Sequence, residues 1–258
     1  MSTETITTEA RFRRLRIYNL VMGLFHAAQG IAIVAIANDF ALPVTANFLE
    51  DAPGAAAPAL DTLFNIRFAW GVAAFLFLSA LAHLVIVSPG VYPWYQKNLQ
   101  RSRNYARWIE YSISSSVMVV LIAMLTGISD IAALGGIFGV NAAMILFGLL
   151  QEHYEEPGNK RWMPYWFGVL TGAVPWLLIG IYLWSPTSAG EPPAFVYAIY
   201  FSLFLFFNSF AINMVLQYRK VGKWKDYLYG EYVYVFLSLT AKSLLAWQVF
   251  GSTLASAN

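Results

Sequence analysis

The sequence predicts an all-α membrane protein, a bundle of seven transmembrane helices forming a single domain over residues 1–258. Of the 258 residues, 59% are hydrophobic and 12% are charged, about half the charged fraction of a soluble protein. Seven apolar stretches each reach the length of about 20 residues that a helix needs to cross a bilayer. The chain has no cysteine and a net charge of +2, so disulfides and thiolate metal sites are excluded and nothing indicates a nucleic-acid partner.

The seven predicted helices follow one another through short loops, with one exception. They span residues 15–38, 63–88, 105–127, 128–151, 162–185, 194–218 and 229–251. The exception is the connection 39–62, in which three prolines and a glycine prevent a continuous helix. The first apolar run follows a basic N-terminal segment and has no small-residue cleavage site, which indicates a retained helix and not a cleaved signal peptide.

Positive charge is distributed unevenly between the two ends of these helices. Fourteen of the sixteen Lys and Arg residues lie before the first helix or in every second loop after it, and the alternate loops have none. Because cytoplasmic loops carry the excess of Lys and Arg, the sequence predicts a cell-membrane protein with its N-terminus inside and its C-terminus outside. The remaining two, Arg67 and Lys242, are predicted to lie within helices.

Lys242 is the most informative residue of the chain, because it lies in the middle of the last apolar stretch. Insertion of a charged side chain at that depth costs about 2.5–3.5 kcal/mol, so an intramembrane lysine is normally paired, modified or functional. A desolvated lysine amine also forms a Schiff base with an aldehyde.

Glu110 is the one acid predicted to lie well inside a helix, and it is the expected partner of Lys242. At 1.5 Å per residue, Glu110 lies about 8 Å and Lys242 about 20 Å from the cytoplasmic ends of their helices. Helical side chains lean toward their own N-terminus, which narrows this gap for Lys242. The pair is either a functional site or a plain ion pair between the third and seventh helices, and Glu231 is expected to be interfacial.

Other polar residues are predicted near this pair. Ser238 precedes Lys242 by four residues on the same helix face and bonds either the amine or its own backbone. Ser114 lies one turn from Glu110 and can bond its carboxylate. His26 and His83 lie on different helices; they form either a polar cavity or an interhelical hydrogen bond, and no nearby carboxylate favours a metal site.

A lysine in the seventh helix and a carboxylate in the third resemble the microbial rhodopsins, whose third helix has an Arg-aromatic-x-acid pattern similar to the segment 107–111. Three departures identify one branch: the inverted topology, Ser238 in place of a second carboxylate, and a sixth helix without tryptophan. With histidines in the first two helices, these features resemble the heliorhodopsins. The segments 107–112, 141–144 and 238–242 carry the similarity, which extends over essentially the whole chain.

The resemblance implies that all-trans retinal is bound to Lys242 as a protonated Schiff base, with Glu110 as its counterion and with Ser238 and Ser114 tuning the pair. It also implies that His26 and His83 line a hydrated cytoplasmic cavity. Six further residues are implied to line the retinal pocket: Tyr111, Asn141, Met144, Ile145, Trp176 and Phe207. The segment 39–62 is implied to form a small β-hairpin at a homodimer interface.

The predicted function is that of a photoreceptor with a sensory or regulatory role and a cytoplasmic signalling partner of unknown identity, neither an enzyme nor an ion pump. Eleven residues after Glu110, where related pumps place a polar or acidic residue, this chain has Leu121, so no proton relay to the outside is visible. Two alternatives stay open. One is a light-gated or light-driven ion carrier that uses His26 and His83, and the other is a retinal-free membrane protein in which Glu110 and Lys242 form a structural pair.

Overall fold

The computed structural model describes residues 3–50, 52–54, 59–184 and 190–255. Seven of its helices are long and apolar enough to cross a membrane, which confirms the predicted fold class. The elements are α1 (Thr3–Ala35), β1 (Ala41–Asn47), β2 (Leu60–Arg67), α2 (Phe68–Val87), α3 (Tyr92–Leu99), α4 (Tyr105–Leu125), α5 (Ile131–Tyr154), α6 (Met163–Leu183), α7 (Ala194–Tyr218), a 3-10 turn (Gly222–Lys225) and α8 (Tyr227–Ala255). Residue 185, the predicted end of the fifth membrane helix, lies outside the described residues.

The helices pack mainly against their neighbours in sequence, and α8 closes the bundle against α1 and α2. The long helix α4 packs on α2 and α5 and also touches α6 and α7. The two most buried membrane helices are α4 and α8, and these are the helices that carry the predicted acid and lysine. The two charges predicted to lie inside helices, Glu110 and Lys242, are therefore carried by the central helices of the bundle.

The predicted hairpin between the first two membrane helices is present. Strands β1 and β2 pair antiparallel, from Ala41 opposite Arg67 to Asn47 opposite Leu60. The hairpin is fixed to the loop before α5, because the Thr45 amide donates to the Ser129 carbonyl at 2.8 Å.

The boundary between the hairpin and α2 was predicted wrongly. Helix α2 begins at Phe68 and not near residue 63, because residues 60–67 pair with β1. Arg67 therefore ends a strand instead of lying inside a helix, and its guanidinium contacts the Asp39 carboxylate at 3.3 Å. Backbone pairing has here prevailed over local hydropathy.

The short helix α3 was not predicted, because eight residues are too few for a membrane span. Its Tyr95 and Leu99 are buried with Phe12 of α1 and Leu228 of α8. After α3 the chain turns through Ser102, which has a left-handed φ of 55°, and reaches Asn104, the N-cap of α4.

The basic residues other than Arg67 and Lys242 share one face of the bundle. The face is formed by the start of α1, by α3 and by the loops that follow α5 and α7, and it is called the basic face below. The hairpin lies at the opposite face. Between Lys242 and that opposite face the interior is filled by a large apolar core, which includes Phe75, Leu121, Ile122 and Leu245.

Candidate functional site

Lys242 and Glu110, the two charges predicted to meet, are in direct contact. Lys242 Nζ donates to Glu110 Oε1 at 2.8 Å. Both groups are buried, with side-chain exposures of 4% and 10%. A buried pair of this kind requires well-placed partners on both sides, since desolvating two charges costs several kcal/mol per ion.

The sequence predicted different membrane depths for Glu110 and Lys242. This difference disappears because α8 begins about one turn before the level at which α4 begins. Glu231, near the start of α8, accepts a hydrogen bond from Asn104 at the start of α4, so these two residues lie at the same level. Lys242 Nζ lies 3.1 Å from Ser238 Oγ, one turn nearer to the basic face than its own Cα. Ser238 is seven residues past Glu231, about 10 Å, and Glu110 is six residues past Asn104, about 9 Å.

Three serines surround the pair in different ways. Ser238 bonds the amine, as one of its two predicted alternatives. Ser79 of α2, which the sequence did not single out, donates to Glu110 Oε1 at 2.6 Å. Ser114 is fully buried close to the same carboxylate, but it forms no hydrogen bond of ordinary geometry with a described residue. The carboxylate therefore has donors from α2 and α8.

An apolar cavity with about 410 Å³ of empty space begins at Lys242. Its lining includes most of the pocket residues implied by the resemblance, together with others that were not singled out from the sequence. They are Tyr111, Ser114, Ser115, Met118, Met144, Ile145, Phe207, Phe210, Ser238, Ala241 and Lys242. Asn141 does not line it. Its amide donates to the hydroxyls of Ser115 and Ser116 at 2.9 and 3.0 Å, so it lies behind the wall.

A second, larger cavity of about 1000 Å³ adjoins the first between α5, α6 and α7. The two cavities share five lining residues, including Tyr111 and Phe207. Trp176 lines the larger one, and its ring packs edge-on against Phe207 with the centroids 5.4 Å apart. Gly168 and Gly172 keep the wall of α6 close to α5, because an added Cβ on Gly172 would overlap the Met144 sulfur.

The side of Glu110 that faces the basic face is polar. A cavity of about 360 Å³ there is lined by Asn19, Ser79, His83, Arg107, Glu110 and others. His83 Nδ1 lies 2.9 Å from Asn19 Oδ1. His26 stacks on His83 with ring centroids 5.7 Å apart, and neither of its nitrogens has a partner among the described residues. Of the two histidines predicted to line a polar cavity, His83 does so and His26 lies behind it.

A second buried ionic cluster, which the sequence did not reveal, lies between the site and the basic face. Arg107 of α4 pairs with both Glu152 of α5 and Glu231 of α8. Their exposures are 7%, 3% and 1%, so Glu231, which was expected to be interfacial, is buried within the protein near the start of α8. Glu110 is therefore not the one buried acid among the described residues. These three residues are called the triad below.

The triad has further donors, which explains why two carboxylates tolerate burial beside one guanidinium. Glu152 also accepts from the Asn104 amide at 2.9 Å, Trp108 Nε1 at 2.7 Å and the Tyr227 hydroxyl at 3.1 Å. Burial, together with the negative charge of Glu231, raises the pKa of the nearby Tyr95 hydroxyl, so this group stays neutral. The sequence signal for the triad was weak because all three residues lie near helix ends, where charges are normally solvated.

Aromatic rings fill the space between the triad and the cavity at Lys242. The Arg107 guanidinium lies 4.6 Å from the Trp108 ring centroid and 3.8 Å from that of Tyr234. The Tyr111 hydroxyl donates to the Tyr234 carbonyl at 3.0 Å. The rings of Trp108, Tyr111, Phe210 and Tyr234, called the aromatic layer below, thus separate the apolar cavity from the charges.

The arrangement suits one kind of ligand. A primary amine at the end of an apolar cavity, with a carboxylate beside it, fits an aldehyde that carries a long apolar tail. Such a ligand would form a cationic imine whose charge the carboxylate offsets. Within the described residues no group of three His, Cys, Asp or Glu side chains could hold a metal ion.

Comparison with known proteins gives one positive finding. The family model described as heliorhodopsin matches residues 15–254 of the chain, nearly its whole length. No curated protein matches the chain well enough to count as a relative. The heliorhodopsins are light-sensing membrane proteins that bind retinal, in agreement with the ligand chemistry of the cavity at Lys242.

Proposed function

Because the chain belongs to the heliorhodopsin family, we propose that it is a light sensor of the cell membrane, with all-trans retinal attached to Lys242. The N-terminus lies in the cytoplasm in this proposal, since the basic face corresponds to the inner side by the positive-inside rule. The observation that carries the proposal is the 2.8 Å contact between Lys242 Nζ and Glu110 Oε1 at the end of an apolar cavity. The bound retinal supplies visible absorption and a light-driven change of shape.

Glu110 acts as the counterion in this proposal. Its carboxylate holds a positive charge at the nitrogen of Lys242, because an anion within about 4 Å favours the cationic form of its neighbour. Ser79 fixes one carboxylate oxygen from α2. Ser238 holds the nitrogen from one turn below on α8.

The walls of the cavity position the chromophore and exclude water. Met118, Ile145 and Phe207 present apolar surface along it. The Tyr111 ring lies under the amine, with its centroid 5.1 Å from Nζ, a cation–π distance that also favours a positive nitrogen. Exclusion of water strengthens the interaction with Glu110, because the local dielectric constant falls.

The distribution of polar groups favours sensing over pumping. From Lys242 toward the opposite face, the described interior is mainly apolar, and its polar side chains include Gln29 and Gln248, which do not titrate. Toward the basic face lie His83 and the triad. A proton that leaves the Lys242 nitrogen therefore has titratable acceptors on one side of the membrane, whereas net transport requires acceptors on both.

The polar cavity at His83 is the observation that favours an ion carrier as the second candidate. It reaches from Glu110 toward Arg107 but does not continue through the apolar core beyond Lys242. Electrical recording from cells that contain the coloured protein separates the two functions. We expect no sustained current or pH change under illumination, and either one would establish transport.

The test of the chromophore is a visible absorption spectrum of the protein purified from cells supplied with all-trans retinal. We expect a visible band in the wild type and in Lys97→Ala, whose exposed lysine on α3 is the matched control, and no band in Lys242→Ala. Folded protein without a band in any of the three would leave Glu110 and Lys242 as a structural ion pair and overturn the proposal.

A further inference from the structure

We propose that α3 and the turn after it, residues 92–104, form the part of the basic face that changes when the protein absorbs light, with the triad as the switch. This segment is called the output segment below. The inference rests on the proposed function, since it concerns which part of the surface moves when the chromophore at Lys242 absorbs light. It is carried by contacts that join the site to this one segment of the surface.

The two helices that carry Glu110 and Lys242 also carry two of the three members of the triad. On α4, Arg107 precedes Glu110 by three residues, and on α8, Glu231 precedes Lys242 by eleven. A helix transmits displacement along its axis, because each residue is bonded to the turn before it. A rotation or shift that separates Lys242 from Glu110 therefore also changes the position of Arg107 relative to Glu231.

The aromatic layer provides a second, lateral connection. Tyr111 and Phe210 both line the cavity at Lys242, and their ring centroids are 5.4 Å apart. Phe210 packs on Tyr234 at 6.1 Å, and Tyr234 packs on Arg107. All four rings of the aromatic layer also line the adjoining cavity, so each has a side that is not packed against other side chains. Coupling through packed side chains requires that the rings have a second arrangement.

The triad in turn holds the last residue of the output segment. Asn104 donates its backbone amide to Glu152 at 2.9 Å and its side-chain amide to Glu231 at 2.6 Å. Its side-chain oxygen accepts from the Arg107 amide at 3.0 Å. All three members of the triad are thus bonded to Asn104. When their mutual positions change, Asn104 should move with them.

Asn104 is joined to α3 through a tight turn. The Arg103 amide donates to the Asn98 carbonyl at 3.1 Å, and the buried Leu99 packs with Leu228, in the first turn of α8. The segment presents Lys97, Arg101 and Arg103 on its surface, and residues 88–104 contain no acid. Movement of the segment therefore displaces a purely basic surface.

The absence of cysteine from the chain allows a direct test by site-directed spin labelling. A nitroxide at Lys97→Cys reports the output segment, and one at Lys160→Cys, in the loop after α5, is the matched control on the same face. The mobility of each label is followed by electron paramagnetic resonance in the retinal-loaded protein before and after a flash. We expect a light-induced change at position 97 that decays with the photocycle, and a much smaller one at position 160.

The role of the triad is tested in the labelled protein by Asn104→Ser. Serine retains the N-cap oxygen for the Arg107 amide but removes the bond to Glu231. We expect the visible band and the photocycle to persist and the light-induced change at position 97 to be lost. Trp108→Phe, which removes the indole donor to Glu152 and keeps an aromatic ring at this position, is the second variant if Asn104→Ser does not fold, and it should reduce the same change.

The outcomes separate this inference from the proposed function. A protein without a visible band would refute the light sensor itself. A coloured protein with a normal photocycle and no light-induced change at position 97 would refute the output segment alone. A change that survives in both Asn104→Ser and Trp108→Phe would show that the triad is not the switch.

Discussion

The properties of the chromophore site are decided by a few atoms around one nitrogen. Lys242 Nζ has two hydrogen-bonded neighbours among the described residues, Glu110 and Ser238, and one aromatic ring beneath it. In a medium of low dielectric constant the electrostatic energy of each such contact is larger than it would be in water. Single substitutions at this point are therefore expected to have spectroscopic effects that are larger than their structural ones.

The counterion role of Glu110 is tested by Glu110→Gln. We expect absorption to shift to the red while the nitrogen stays protonated, since the lost anion stabilised the positive charge at the nitrogen most strongly in the ground state. We also expect the visible form to give way to the near-ultraviolet form at a lower pH than in the wild type, because the neutral amide no longer favours the cation. An unchanged spectrum and titration would remove Glu110 from this role.

Ser79 is a residue whose importance only the structure shows. Its hydroxyl donates to the ionised form of Glu110, so Ser79→Ala should make protonation of the carboxylate easier. We expect the red shift caused by acid to begin at a higher pH than in the wild type, as measured by absorption titration. Ser112→Ala is the control, because that hydroxyl bonds the Ile109 carbonyl of its own helix; an equal effect in both variants would count against a specific role.

The two histidines are expected to affect kinetics more than colour. His83 is bonded to Asn19 and lines the polar cavity, and His26 stacks behind it, but neither is hydrogen-bonded to Glu110 or Lys242. We therefore expect His83→Ala and His26→Ala to leave the dark absorption band nearly in place and to alter photocycle decay in flash photolysis. A large colour change in either variant would mean that the histidine acts on the counterion directly.

At the scale of whole elements, α5 shows how a glycine can be structural at one position and not at another. The Trp108 ring lies in the notch at Gly148, where an added Cβ would overlap it, whereas nothing lies within 4 Å of a Cβ at Gly136. Overpacking costs about 1–3 kcal/mol, so Gly148→Ala should lower the temperature at which the visible band is lost. Gly136→Ala in the same helix should leave this temperature unchanged or raise it. An equal decrease in both variants would mean that α5 is sensitive to alanine at any glycine.

Sequence reasoning recovered the long elements of the fold and missed the short ones. Hydropathy identified every membrane helix because burial in lipid imposes a minimum length on apolar segments. It failed at α3, because eight residues are too few to carry that signal. It failed at the start of α2 because Leu63, Phe64 and Ile66, at the end of the strand, continue the apolar run of the helix. The hairpin itself came from the resemblance and not from a pattern in its residues.

The site could be predicted in part for a similar physical reason. A lysine in an apolar stretch is unusual enough to be found from sequence alone, and Glu110 follows as the one acid in reach. The triad could not be found in this way, because Arg107, Glu152 and Glu231 are ordinary residues for helix ends and become unusual only when three helices bring them together. Asn141 is the opposite case: it matched a motif, but in the structure its amide bonds Ser115 and Ser116 and does not line the cavity.

At the scale of the whole molecule, the hairpin offers a surface for the homodimer that the resemblance implies. Leu60, Leu63 and Phe64 of β2 are exposed by 66%, 42% and 50%, and exposed apolar groups of this kind indicate contact surfaces. We expect Leu60→Ala with Phe64→Ala to lower the dimer fraction measured by light scattering in detergent. Leu177→Ala, on an equally exposed residue of α6, should leave it unchanged; a wild type that is monomeric would refute the dimer.

The orientation of the whole molecule follows from the separation of its charges, and it can be tested with single cysteines because the chain has none of its own. Ala52→Cys lies on the exposed hairpin turn and Lys160→Cys on the basic face, and Arg67 is the one basic residue in the described part of the hairpin side. Translocation of so many Lys and Arg residues is disfavoured, so the basic face should stay in the cytoplasm. We expect a membrane-impermeant maleimide to label position 52 in intact cells and position 160 only after permeabilisation. The reverse pattern would place the output segment outside the cell and exclude a cytoplasmic partner.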